Sequence, residues 1–267
     1  MKDLEGTLLH AGKPWKDKNS PDMDSLASAP HMVDFDADGD LDLLVGNIAG
    51  RIILIENVGT AKAPKFAKKR VVIRGGDAEI RVPGGDSGPT TADWDGDGLW
   101  DLLVGAGDGS VWFFKNTGAK GKPVFAAAKV LIAKSARGYQ PLDVREEPKD
   151  QGSRSKVCVV DYDMDGHLDL LVGDFVSVKE PAPVLDEART KARDALRAER
   201  DKVQTQMQAI YTKHKDDPKK AQEASRELSK KFSDIYGKLR KLEGGTTPTG
   251  YVWFFKRKAP VSDARTG

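Results

Sequence analysis

Three acidic stretches carry the chemistry this sequence offers. They read Asp34-Phe35-Asp36-Ala37-Asp38-Gly39-Asp40-Leu41-Asp42, Asp93-Trp94-Asp95-Gly96-Asp97-Gly98-Leu99-Trp100-Asp101 and Asp161-Tyr162-Asp163-Met164-Asp165-Gly166-His167-Leu168-Asp169. In each, carboxylates fall at positions 1, 3, 5 and 9, with glycine at 6. The first three converge on one point as the backbone curls, and glycine permits the sharp turn. Position 7, held by Asp40, Leu99 and His167, can offer a backbone carbonyl, which needs no particular side chain. Four carboxylates, a carbonyl and one or two waters make up the roughly 6–8 hard oxygens that Ca²⁺ takes, whereas Mg²⁺ demands a stricter octahedron. No softer ligand favours a transition metal. Left bare, so many neighbouring carboxylates would repel one another. An EF-hand starts in the same way but needs a glutamate at position 12 and flanking helices. Here position 12 is Val45, Val104 or Val172, so that reading fails. The expected metal ligands are Asp34, Asp36, Asp38, Asp40 and Asp42; Asp93, Asp95, Asp97, Leu99 and Asp101; and Asp161, Asp163, Asp165, His167 and Asp169. They give up to three Ca²⁺ sites, each holding the first hairpin of a repeat.

Every loop runs into Leu-Leu-Val-Gly, and the surroundings repeat with it. Gly46 and Gly105, Gly50 and Gly109, Asn57 and Asn116, Phe66 and Phe125, and Ile73 and Ile132 share register when counted from Asp34 and Asp93. Each unit reads as four strands: one entering the loop (His31 to Phe35, or Val157 to Tyr162), the Leu-Leu-Val strand leaving it, a third after a glycine turn (Arg51 to Glu56, or Ser110 to Lys115), and a fourth starting at Phe66 or Phe125. Short β-branched and aromatic runs bounded by Gly, Asn and Pro are strand signals. Four strands recurring at this interval fit a propeller blade better than a sandwich. In the third unit the matching third strand, Gly250 to Lys256, is displaced by a 73-residue insertion. Its apolar residues from Leu185 to Leu242 (Leu185, Ala192, Leu196, Val203 and Ile210, then Ala221, Leu228, Phe232, Ile235, Leu239 and Leu242) keep helical spacing. A break at Asp216-Asp217-Pro218 divides it into an antiparallel, coiled-coil-like helical hairpin, with Asp217 as N-cap and Gly244-Gly245 as its end.

This arrangement resembles the FG-GAP/VCBS repeats of integrin α-subunit propellers and of many bacterial surface or secreted proteins. The resemblance is carried by the first, third, fifth and ninth aspartates of each loop and the Leu-Leu-Val-Gly that follows. It implies Ca²⁺ bound between the first two strands of a blade, mainly for structure, and an extracellular or periplasmic location. No signal peptide is visible in Met1 to Gly6,. The expected fold is all-β: a partial β-propeller of about three four-stranded blades carrying the hairpin. Its boundaries are 1–30 for an orphan outer strand (Leu4 to Leu9) and linker, 31–80 for the first blade and 81–140 for the second. The third blade takes 141–178 and 249–260, and the hairpin 179–248. Three blades closing on themselves are geometrically unattractive. The chain therefore reads as part of a longer propeller, or as one that assembles to finish a ring.

Composition removes several function classes. A net charge of +2 over 267 residues gives no electrostatic case for nucleic acid,. No apolar run approaches the ~20 residues of a membrane span. The single Cys158 excludes an internal disulfide and, in the apolar run Val157 to Val160, reads as a buried inert thiol,. Gly85-Asp86-Ser87-Gly88-Pro89 has a protease-like look but lacks the partner segments, and reads as a turn before a strand. His10, His31, His167 and His214 lie in unrelated contexts and read as surface or packing residues. Trp94, Trp100, Trp112 and Trp253 could stack on sugars, although three of them sit in or beside apolar strands. The expected role is a non-catalytic module for adhesion or ligand binding, toward a protein or carbohydrate. Self-association through the hairpin or the incomplete propeller is a further expectation. The alternative is a polysaccharide lyase-like, carbohydrate-active enzyme or its non-catalytic lobe.

Overall fold

A computed structural model of the chain describes residue 11 and residues 23–143, 146–215 and 217–258. The strand expected at Leu4 to Leu9 lies outside the described residues, as do Asp216 and the chain after Lys258. Two compact units are present: one of Met1–Gln140, Pro148–Val176 and Thr249–Gly267, the other of Pro141–Glu147 and Ser177–Pro248.

The first unit is built from antiparallel sheets. After a short 3₁₀ turn at Met23–Ser25, sheet one runs β1 (Ala29–Val33), β2 (Asp42–Gly46), β3 (Ile52–Ile55), β4 (Val71–Val72), each strand beside its sequence neighbour. A small two-stranded sheet, β5 (Arg74–Gly75) with β6 (Ala78–Glu79), follows. Sheet two repeats the meander with β7 (Gly88–Ala92), β8 (Asp101–Gly105), β9 (Val111–Phe114) and β10 (Lys129–Ile132). Sheet three has β11 (Ser153–Val160) and the long β12 (Asp169–Lys179), which pairs with both β13 (Thr246–Thr249) and β14 (Val252–Phe255). Phe66 and Phe125, expected to open the fourth strands, form only isolated bridges to Asn57 and Asn116. The Asn57 Oδ1 accepts from the Gly59 and Lys65 amides, and Asn116 Oδ1 from Gly118 and Val124. That side-chain turn uses the amides a ladder would need, so the strand proper starts later.

Strand residues alternate between faces, and here both faces are apolar because the sheets stack. Leu44, Ile52 and Leu54 pack with Val33, Leu102, Val104 and Phe114 between sheets one and two. Leu103, Val111 and Phe113 turn the other way, onto Leu170 and Val172 with Val157, Trp253 and Phe255 of sheet three. Leu43, Val45, Ile53 and Ile55 bury the remaining face of sheet one with Phe66 and Ala11. The glycine ending each Leu-Leu-Val strand lets the next repeat approach. A Cβ at Gly46 would collide with the Ser87 carbonyl, and one at Gly105 with the Ser155 carbonyl. At Gly173 the nearest atom is 3.9 Å away, the Lys156 carbonyl oxygen of its own sheet. No further sheet among the described residues covers that face, so Val252 and Phe254 are exposed. Cys158 is exposed as well, which corrects the buried thiol expected from its apolar run: its neighbours Val157 and Val159 take the inward face.

The second unit holds α1 (Glu187–Lys213) and α2 (Pro218–Glu243). Asp186 caps α1 by accepting from the Arg189 amide, and Asp217 caps α2 through Lys220,. Arg197 pairs with Glu243 while Tyr211 meets Ser225, so the helices run antiparallel. Their seam is Val203, Ile235 and Leu239, flanked by Leu196, Met207, Leu228 and Phe232. Ala192, expected on that seam, is exposed: α2 ends opposite Arg197, so the start of α1 runs on past its partner helix. No helix among the described residues is long and apolar enough to cross a membrane.

Two predictions follow from the stacking. Gly105→Ala should cost about 2–3 kcal/mol in denaturant unfolding through overpacking, whereas Gly173→Ala should stay within about 0.5 kcal/mol. Equal losses at both would refute the stacking argument. His31 on β1 reaches sheet two, its Nε2 accepting from the Thr91 amide at 3.2 Å, with the Thr91 hydroxyl 2.8 Å away. Burial pushes its pKa below the ordinary value. A depressed folded pKa means the unfolded chain binds the proton first, so stability is full above about pH 6.5 and falls as pH drops below it. The melting temperature should decline from pH 7.5 to 5, less steeply in His31→Gln, and the His31 imidazole should titrate in NMR below the pH of a free histidine.

Candidate metal centres

Each acidic loop is bent by two left-handed residues. Position 6 is Gly39 (φ +93°), Gly98 (+87°) and Gly166 (+87°), and a Cβ there would meet nothing within 4 Å, so the requirement is conformational,. Position 4 is left-handed too, at Ala37 (φ 61°), Gly96 (79°) and Met164 (60°). The position 5 carboxylates then fold back onto position 7: Asp38 accepts from the Asp40 amide, Asp97 from Leu99 and Asp165 from His167, each at 3.0 Å. The turn draws carboxylates together. Asp34, Asp36 and Asp38, then Asp93, Asp95 and Asp97, then Asp161, Asp163 and Asp169 each offer oxygens lying within 4.8 Å of one another.

The ninth carboxylate has a structural task the sequence did not disclose. Asp42 accepts from the Phe35 amide at 3.0 Å and the Asn57 amide at 2.7 Å. Asp101 does the same with Trp94 (3.1 Å) and Asn116 (2.7 Å), and Asp169 with Tyr162 (3.3 Å) and Arg257 (2.8 Å). All three side chains are buried. Burial raises the pKa of Asp42 and Asp101 against the lowering effect of the two amides, and neighbouring loop carboxylates raise it further,.

Charge compensation differs from loop to loop. Lys115, one residue past β9, places its ammonium between Asp95 and Asp97, 2.9 Å from the latter. Lys256, one residue past β14, sits between Asp163 and Asp165, again 2.9 Å from the second. These pairings raise the pKa of both lysines and lower those of Asp97 and Asp165, which also accept a loop amide. In loop one the residue after β3 is Glu56. Among the described residues, three carboxylate oxygens are buried without a hydrogen-bond partner: Asp34 Oδ1, Asp40 Oδ1 and Asp93 Oδ1. The Asp40 side chain is only 5% exposed. Its pKa is raised by burial, then by Asp38, Asp36 and Asp34, against a hydrogen bond with Asn57. In loop three both oxygens of Asp161 already accept, from the Asp165 and Gly166 amides. Hard, clustered donors with unpartnered buried oxygens suit a cation taken up from solution.

Other candidates have structural surroundings. The buried Ser87 hydroxyl donates to the Arg51 carbonyl at 2.6 Å and accepts from the Asn47 amide. Asp86 meets Arg154 Nε at 2.5 Å and Lys156 Nζ at 3.3 Å, and although burial opposes its ionisation, these cations hold its pKa below the ordinary value. Trp94 is buried under the Arg257 guanidinium, 4.7 Å from its ring centre, while Trp100 is exposed. Removing the ninth carboxylate should be costly: Asp101→Ala strands two buried amides and should destabilise by about 2–4 kcal/mol. Asp101→Asn, which keeps one acceptor, should lose about half as much. Equal stability of all three proteins in urea would overturn the assignment.

Comparison with curated proteins and with solved structures gave no match. The family model described as FG-GAP-like repeat matches twice, over residues 34–104 and 93–172. Each match starts at the first aspartate of a loop, and the second ends at Val172 in the strand after loop three. Together they cover just over half of the 267 residues. The chain belongs to the FG-GAP-like repeat family.

Proposed function

We propose that this chain is a Ca²⁺-stabilised, non-catalytic binding module whose three stacked sheets are consecutive blades of a β-propeller. The observation that carries the reading is the pair of buried, unpartnered oxygens at the first position of two loops, Asp34 Oδ1 and Asp93 Oδ1. A buried carboxylate oxygen with no donor costs free energy that a bound cation removes. Asp34, Asp36, Asp38 and Asp40 would hold the ion in loop one, Asp93, Asp95 and Asp97 in loop two, and Asp161, Asp163 and Asp169 in loop three. Bound there, Ca²⁺ supplies positive charge to the loop. The chain's own residues supply the turn, through the left-handed fourth and sixth positions, and the anchorage, through the ninth carboxylate.

The metal's role in this reading is structural. Each loop joins the strand that enters it to the strand that leaves it, and the ninth aspartate ties both to the third strand. Adhesion to a protein or carbohydrate, outside the cytoplasm, is the function that suits a scaffold of this family, with the ligand surface elsewhere than in the loops.

Differential scanning calorimetry with and without chelator tests the proposal. Ligand bound only by the folded state stabilises by about 2.7 kcal/mol at 100 times Kd, which for a chain of this size is a rise in Tm of roughly 5–10 °C. Millimolar Ca²⁺ should produce that rise and equimolar Mg²⁺ much less, with the gain reduced in Asp34→Asn and Asp93→Asn. An unchanged Tm, together with no heat of Ca²⁺ binding, would sink it.

A further inference from the structure

We infer that the three acidic loops are unequal cation sites: loop one depends on an external divalent ion, whereas Lys115 and Lys256 act as built-in counter-ions that weaken loops two and three. The inference rests on the Ca²⁺ reading above and adds an order of occupancy and its cause.

Two independent observations set loop one apart from the other two, and the second also separates loop two from loop three. The first is the tethered ammonium. Lys115 and Lys256 each follow the third strand of their repeat and bridge the third- and fifth-position carboxylates, Asp95 with Asp97 and Asp163 with Asp165. At the equivalent sequence position loop one has Glu56, which has no ammonium to offer. The second is the supply of unpartnered buried oxygens. Loop one has two, from Asp34 and the 5%-exposed Asp40; loop two has one, from Asp93; loop three has none among the described residues. Asp40 feels the charges of Asp38, Asp36 and Asp34, so its free oxygen adds to the negative charge of this loop, outside the trio whose oxygens converge.

An ammonium between two carboxylates competes with a divalent ion twice over. It occupies oxygens the ion would use, and once the ion arrives it is a like charge a few ångströms away unless it swings out. Unit charges about 4 Å apart near a protein surface interact strongly enough to shift binding tenfold or more. Lysine's long flexible stem lets it swing out, so these loops are weakened and not abolished.

The test is a Ca²⁺ titration of ¹⁵N-labelled protein, with the position 6 glycine amides Gly39, Gly98 and Gly166 reporting one loop each. Gly39 should saturate at the lowest Ca²⁺ concentration, Gly98 next and Gly166 last. Lys115→Met should move the Gly98 curve to at least about tenfold lower Ca²⁺ without moving Gly39. Lys256→Met should do the same for Gly166, and Glu56→Lys should move Gly39 in the opposite direction. Far-UV circular dichroism confirms that the variants are folded. Three amides titrating together, or lysine variants that leave their curves in place, would overturn the inference while leaving Ca²⁺ binding intact. Silence of all three amides in every protein would remove the Ca²⁺ reading and this inference with it.

Discussion

A buried carboxylate shared by two backbone amides is the interaction on which each repeat depends. Asp42, Asp101 and Asp169 each join the end of the incoming strand, the start of the outgoing strand and the residue just past the third strand. An ionised carboxylate out of water is tolerated when its oxygens accept hydrogen bonds, and charge-assisted bonds are the stronger kind. The clamp has an electrostatic consequence. By fixing a negative charge at the root of the loop, it adds to the repulsion among the carboxylates of the turn, and in loop three it is one of the three that converge. Closing the sheet and concentrating charge in the loop are therefore one event, and the demand for a counter-ion arises from the fold itself.

The stacking of the sheets rests on a second constraint, the absence of a side chain where one repeat meets the next. Gly46 and Gly105 admit the carbonyls of Ser87 and Ser155, which lets the Leu-Leu-Val strands bury both of their faces. Sheet two, enclosed on both sides, shows this most fully: Leu102, Leu103 and Val104 alternate between two cores and all are buried. The strand at the same place in sheet three has the same sequence but only one covered face. Its partner strands show the difference, with Trp253 and Phe255 turned inward and Val252 and Phe254 left in water.

What could be read from the sequence was whatever repeats or is local. The three loops, the strands around them and the helical pair are visible because register, alternation and helical spacing recur over short spans. Position 4 escaped notice because Ala37 and Met164 do not announce a left-handed backbone as glycine does. The lysines escaped because they stand at the far end of the third strand. For Lys256 the helical insertion places its carboxylate partner Asp163 far away in sequence. In the sequence the ninth carboxylate looks like a ligand alone, since its amide donors at Asn57, Asn116 and Arg257 become neighbours only when the sheet forms. The exposure of Cys158 is not legible because an apolar run shows a strand's composition but not whether a second sheet lies against it.

The loops also show that turn geometry and charge compensation are separable. All three have left-handed fourth and sixth residues and the same hydrogen bond from the position 7 amide to the position 5 carboxylate, yet their counter-charges differ. A lysine ammonium carries one charge and three donors, enough for the third and fifth carboxylates of a loop. In loop two it leaves the Asp93 oxygen at the first position without a partner. A divalent ion carries twice the charge and takes six or more oxygens, so it can serve every carboxylate at once. In the proposed reading, an internal ammonium is thus a partial substitute for the ion. Loop one has Glu56 at the sequence position of that lysine, and in the proposed reading its counter-charge comes from solution.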